Sequence, residues 1–323
     1  MMRKTVVIFL AAMLSVTARA DEGMWLIHAI SKALETKMQE RGLQLGANEI
    51  YNADAPGASL SDAILSLDFA CTGSFISDQG LVITNHHCAY ADVHALSTPD
   101  RNYLEDGFWA LQSRDERPIS GKSVFVLKKV IDVTEETEQV KQTEGLGGKP
   151  MGLRKLSYLM EKKYSASTGL EASLSSMWGG SKYYLALYEV YKDVRLVAAP
   201  PVSIAAFGGD IDNWEWPQHK CDFALYRVYA GKDGRPAEYS ADNVPLKPLR
   251  SLTVSTAGYK SGDFTMVIGY PGRTDRYSSS HKLAYQKDVS LPISNEIRGK
   301  QMEIISDKES RCIVVAAGPG SGK

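Results

Sequence analysis

Cys71-Thr-Gly-Ser-Phe-Ile-Ser-Asp-Gln-Gly-Leu-Val-Ile-Thr-Asn-His-His-Cys88 reads as two short strands around a turn. Thr72–Ser77 and Leu81–Asn85 are the two candidate strands. Asp78-Gln79-Gly80 lies between them, and its glycine supplies the positive φ that a tight hairpin loop needs. Working outward, further β-rich runs occur at Val124–Val133, Val194–Ala199, Phe223–Ala230 and Phe264–Ile268, several of them ended by Gly or Pro. Many short strands joined by loops predict a mainly β fold, a barrel or a sandwich. Trp25, Ile27, Ile30, Leu34 and Met38 recur at helical spacing, so 24–41 is expected to be an amphipathic helix. The rhythm changes at about 137–182, where Gly145-Leu-Gly-Gly148 is followed by Leu153, Leu156, Met160 and Tyr164. A helical insertion is expected there. From about 281 onward the sequence becomes charged and helix-compatible, which divides the chain into 21–280 and 281–323.

Composition narrows the function. Among 323 residues, 37 Lys and Arg are matched by 38 Asp and Glu, for a net charge of -1, with the two signs interspersed. That balance argues against a nucleic-acid partner, which calls for a basic excess or stripe. Arg3 and Lys4, the apolar run Val6 to Leu14 and the small residues of Ala18-Arg-Ala20 read as a secretory signal peptide, 1–20, cleaved after Ala20. No later run approaches the roughly 18 apolar residues of a membrane helix, so no membrane span is expected in the exported protein, at the periplasm or cell surface. In an oxidising compartment Cys71, Cys88, Cys221 and Cys312 allow three pairings.

The chemistry concentrates in the opening stretch. A histidine at a strand end, with one cysteine directly after it and another on the preceding strand, is the arrangement that chymotrypsin-like peptidases use to hold a general-base imidazole. The hairpin returns Cys71 to Cys88, and these two are expected to form the disulfide. Such a base needs a carboxylate from later in the chain to fix its tautomer. Asp222, at the head of Asp222-Phe-Ala-Leu-Tyr-Arg-Val-Tyr-Ala230, is the leading candidate, with Asp210 and Asp212 as alternatives.

At this point the sequence resembles the bacterial dipeptidyl-peptidase 7 and 11 family of serine exopeptidases. The landmarks run in order: Cys71-Thr-Gly73, Thr84-Asn-His-His-Cys88, Tyr103-Leu-Glu-Asp-Gly-Phe108, Asp193-Val-Arg-Leu-Val197, Asp212-Asn-Trp214, Asp222-Phe223 and Gly269-Tyr-Pro-Gly272. The resemblance implies a double β-barrel of chymotrypsin type, with this chain supplying the first barrel and the start of a helical domain. It implies that His87 is the general base, Asp222 its orienting carboxylate, and Asn213 and Trp214 the holders of the substrate's α-amino group. The implied partner is a peptide with a free N-terminus, and no cofactor is called for. A homodimer is compatible with this reading. His86 is expected to pack or to hydrogen-bond near the loop.

Two departures stand out. Gln218 and Lys220-Cys221 replace the Arg and the Thr-Gly common in relatives before the aspartate. The Gly-Gly-Asn-Ser-Gly-Ser-Pro motif that carries the nucleophile in relatives does not occur in the 323 residues. Gly179-Gly-Ser181 is a superficial substitute that precedes Asp222. The tail Arg311-Cys-Ile-Val-Val-Ala-Ala-Gly-Pro-Gly-Ser-Gly-Lys323 resembles a strand running into a Walker A loop that stops before its Ser or Thr. The expectation is a truncated or composite fragment, inactive alone. The competing reading is an exported zinc-binding protein using His86, His87 and Cys88 with His219 and Cys221.

Overall fold

The structure is a computed structural model that describes residues 24–143, 151–207, 220–272 and 278–306. It divides into two compact units, one up to Pro271 and one from Gly272. Among its described residues the first unit is built on eleven antiparallel strands: β1 (Ile64–Leu67), β2 (Cys71–Phe75), β3 (Leu81–Thr84), β4 (Phe108–Trp109), β5 (Arg117–Pro118), β6 (Val124–Asp132), β7 (Glu171–Met177), β8 (Lys182–Tyr191), β9 (Asp193–Ala199), β10 (Ala224–Ala230) and β11 (Val244–Pro245). Their hydrogen-bonded order is β4-β9-β10-β3-β2-β1-β6-β8-β7, with β11 on β10 and β5 on β9. The mainly β expectation holds.

The β2–β3 hairpin sits where the sequence puts it, pairing Ser74 with Ile83 and Phe75 with Val82. Gly80 has φ +66°, and a Cβ there would lie 2.6 Å from the Val228 carbonyl oxygen and 2.9 Å from that of Leu246. The turn therefore needs glycine twice, for its backbone angle and for the close approach of β10. β3 continues across to β10, where Leu225 faces Ile83 and Ala224 faces Thr84. The end of β3 and the start of β10 thus lie side by side.

Two apolar clusters hold the unit together. Leu65, Phe75, Val82, Val93, Leu196 and Tyr226 belong to the larger one, between the sheet and the helix His86–Leu96. The smaller gathers Leu156, Met160, Leu185 and Val133 between β8 and the helix Leu153–Thr168. Fully burying each such aliphatic side chain contributes about 1.5–3 kcal/mol, so these clusters outweigh any single surface ion pair.

Three expectations need correction. The segment 24–41 is not one helix but a 3₁₀ turn, Ile27–Ala29, followed by a helix Lys32–Glu40. Ser31 sets the break, because its hydroxyl accepts the Leu34 N–H as an N-cap. The helical insertion at about 137–182 contains helices Thr134–Thr143 and Leu153–Thr168, but 171–177 is strand β7, paired along its length with β8. Its outer amides are received by the neighbouring helix: Ala172 N–H donates to Ser165 Oγ (3.1 Å) and Leu174 N–H to Glu161 Oε1 (2.9 Å). Gly179-Gly-Ser181 is the turn between β7 and β8, with both glycines at positive φ. Phe264–Ile268 is not a strand. It has no ladder partner among the described residues, and Val267 is almost fully exposed.

The second unit, among its described residues, is helical: Ser280–Tyr285, a π-helical turn Gln286–Ser290, and Leu291–Ser306. No helix among the described residues is long and apolar enough to cross a membrane.

Candidate active site

β3 ends at Thr84, and Asn85 is the N-cap of the helix His86–Leu96. The histidine pair therefore occupies the first turn of a helix and not the end of a strand. His86, Ala89 and Val93 share the buried face of that helix. The next residue round, His87, is turned outward, with its side chain 69% exposed.

The covalent bracket fixes this turn from below. Cys71, the first residue of β2, is bonded to Cys88, with Cα atoms 6.2 Å apart. Thr84 Oγ1 donates to the Thr72 carbonyl (2.8 Å), and Thr72 Oγ1 accepts the Tyr270 N–H (2.8 Å), tying β3 and a later loop to β2.

Asp222 approaches from the other side. It is the middle residue of a three-residue turn in which Phe223 N–H donates to the Cys221 carbonyl (2.9 Å), two residues before β10. One oxygen of its carboxylate accepts the His87 backbone N–H at 3.0 Å. The other lies 2.6 Å from His87 Nδ1 and accepts from Asn85 Nδ2 at 3.3 Å. A carboxylate at a helix N-terminus meets free backbone donors and the positive end of the helix dipole. Burial by itself would raise the Asp222 pKa. Hydrogen bonds from the His87 backbone and ring, with the ring's charge, outweigh it and hold the carboxyl below its ordinary range. His87 Nδ1 is thereby committed to Asp222, and Nε2 is the nitrogen left to exchange a proton with a substrate group.

His86 is the opposite case. It is 2% exposed, and burial drives its pKa below the ordinary imidazole value; the Asp222 charge and a hydrogen bond to the Pro200 carbonyl act the other way. Nε2 has no hydrogen-bond partner among the described residues. This is the structural role expected of His86.

The other sequence candidates divide. Asn213, Trp214, Asp210, Asp212, His219 and Cys312, like the signal segment 1–20 and the Walker A-like tail, lie outside the described residues. Cys221 is an exposed free thiol. The zinc reading finds little support: Cys88 is consumed by the disulfide, His86 faces Pro200, and no group of metal ligands forms among the described residues. Three contributors escaped the sequence reading. Asn85 touches Asp222, and the Trp109 ring lies 6.3 Å from that of Phe223, beside Asp222. The third is the Asp92–Tyr226 contact described below. Asn85 could have been found, since Asn before a helix is an N-cap signal.

A dyad of this kind, an imidazole fixed by a carboxylate on one nitrogen and open on the other, can take up and return a proton, which is the chemistry a general base needs. The chain belongs to the Peptidase S46 family, whose model matches residues 20–312. It is 42% identical over 304 residues to an Asp/Glu-specific dipeptidyl-peptidase of Porphyromonas gingivalis, covering 92% of this chain and 41% of that one. It is 43% identical over 266 residues to dipeptidyl-peptidase 7 of the same organism, covering 81% and 37%. A crystal structure of Porphyromonas endodontalis DPP11 in complex with the dipeptide Arg-Asp superposes with a TM-score of 0.81 at 39% identity, over 88% of this chain and 41% of that one. The chain thus spans about two-fifths of the length of these relatives.

Acid should destabilise this fold in two stages. His86 and His28 both have pKa values lowered by burial from 6.5, so the unfolded chain takes up protons first as pH falls below about 6.5 and stability drops. The depressed carboxyls act next: Asp222 and Glu136, and Asp132, which hydrogen bonds from Thr134 and Lys182 hold down at about 2. Their contribution is full above the ordinary carboxylate range and is lost on the way down to pH 2. Urea midpoints at pH 7.5, 5.5 and 3 should fall in that order, and the first step should shrink in His86→Asn. A flat profile between pH 7.5 and 5.5 would contradict the buried neutral imidazoles.

Proposed function

We propose that this chain carries the base-and-carboxylate half of a serine-type dipeptidyl aminopeptidase, an enzyme that releases dipeptides from peptides with a free N-terminus. The observation that carries the reading is the 2.6 Å contact between His87 Nδ1 and Asp222, doubled by the His87 backbone amide. In this reading the nucleophile is the serine of the Gly-Gly-Asn-Ser-Gly-Ser-Pro motif of the longer relatives. Its hydroxyl proton passes to His87 Nε2 as the oxygen attacks the carbonyl carbon. Asp222 stabilises the imidazolium, which then protonates the departing amine. Asn213, through its amide oxygen, and Trp214, through the face of its ring, receive the substrate's α-ammonium, since a desolvated ammonium must be met by acceptors or an aromatic face.

The same reading makes the strands of the first unit one barrel of a chymotrypsin-type pair, and 281–323 the start of a helical domain. Residues 1–20 direct export and are removed by cleavage after Ala20. In this reading turnover needs both the base carried here and a serine such as the longer relatives supply.

The test joins residues 21–305 to the serine-bearing remainder of a relative in one chain. Release of a fluorogenic amine is compared on dipeptidyl substrates with free and acetylated N-termini. The free substrate should be cleaved and the acetylated one left intact. Equal cleavage of both would overturn the aminopeptidase reading.

A further inference from the structure

Behind the dyad, the same two segments meet a second time. Asp92 lies on the helix that presents His87, and Tyr226 lies on β10, four residues after Asp222. Tyr226 Oη donates to Asp92 Oδ2 at 2.6 Å. Lys122 Nζ reaches Asp92 Oδ2 (2.9 Å) and Asp68 Oδ2 (3.2 Å), and stands 5.5 Å from the centre of the Tyr226 ring. Asp68 in turn accepts the Ser123 N–H (2.8 Å), which fixes the segment carrying Lys122. Tyr226 is fully buried and Lys122 is 9% exposed. Burial keeps the phenol far above its ordinary pKa, with the Asp92 charge adding to the effect, so it is always a donor.

An ion pair of this kind, with Lys122 buried, Asp92 largely so and Asp68 at the surface, is weak evidence for stability, because desolvating the ammonium and the Asp92 carboxylate costs about as much as their attraction returns. Its best-attested use is to fix a register. Positions 87 and 92 are separated by about 140° around a helix. A helix attached to a strand at one point can roll about that point, whereas a second attachment on a different face stops the roll. The His87 side chain is 69% exposed, and in water each hydrogen bond to Asp222 contributes only modestly to holding it.

We propose that Tyr226 and Asp92, with Lys122 neutralising Asp92, form a buried clamp that sets the roll of the His86–Leu96 helix and so keeps His87 Nδ1 on Asp222. Tyr226 and Asp92 are then positioning residues for the base. This rests on the dyad reading above.

The experiment follows the His87 Nδ1 proton in the 323-residue chain by proton NMR, assigned as the low-field signal that His87→Ala removes. Tyr226→Phe deletes one hydroxyl and keeps the ring in place. Exchange of the Nδ1 proton with water should speed up by about tenfold, the effect of losing one hydrogen bond. Val228→Ala, a fully buried change on the same strand outside the clamp, lowers the melting temperature at least as much but should leave exchange as in the native chain. Unchanged exchange in Tyr226→Phe, or equal acceleration in Val228→Ala, would overturn the clamp. Turnover surviving His87→Ala in the joined enzyme would instead overturn the dyad reading.

Discussion

His87→Ala in the joined enzyme is expected to lower kcat by about 10⁴–10⁶ while leaving KM within a few-fold, because the base acts on the reacting atoms and not on ground-state binding. Asp222→Asn should cost about 10⁴ for a different reason. The amide keeps the shape, and its oxygen can still accept the His87 backbone N–H. Its NH₂ group is now a donor facing Nδ1, so the ring turns to the tautomer that places the proton on Nε2. That nitrogen can then no longer accept the serine proton. Steady-state kinetics on a free dipeptidyl substrate checks both. A rise in KM alone, with kcat intact, would make His87 a binding residue. Activity unaffected by both changes would place the chemistry elsewhere in the chain.

The β3–β10 adjacency was legible in part. The hairpin announces itself through two short β-prone runs around Gly80, and β10 through its run of aromatic and β-branched residues. The pairing of β3 with β10, some 140 residues apart in the chain, is a tertiary event that no local pattern encodes. For that reason position in the chain made Asp222 the leading candidate without removing Asp210 and Asp212, and the family resemblance added to its case. β7 stayed hidden because its sequence, Glu171-Ala-Ser-Leu-Ser-Ser-Met177, is small and polar. It is a strand because β8 pairs with it and a helix covers its free edge. Phe264–Ile268 shows the reverse: strong β propensity without a partner does not make a strand. The Asp92–Tyr226–Lys122 clamp was illegible. Its members are 134 and 30 residues from Asp92 in the sequence, and an acidic residue on a helix is ordinarily solvated.

The disulfide gives the second large effect, on stability. Cys71 and Cys88 close a loop with a sequence separation of 17, and removing that closure returns about 3 kcal/mol of chain entropy to the unfolded state. In a unit of this size, that is about 6–12 °C in melting temperature. The Cys71→Ser, Cys88→Ser double variant should therefore melt about that much lower, by calorimetry or circular dichroism under non-reducing conditions. The site should suffer beyond the global loss. Cys88 directly follows His87, and its sulfur anchors the helix's first turn to β2. The hydrogen bond from Thr84 to the Thr72 carbonyl remains as a weaker tether between β3 and β2. Proton exchange at His87 Nδ1 should then rise even at temperatures where the variant is fully folded. In the native chain Cys221 should alkylate without denaturant, being an exposed thiol, while Cys71 and Cys88 should not. A double variant melting within a degree of the parent, or Cys71 and Cys88 alkylating in the untreated native chain, would show that the helix's first turn is held without the bond.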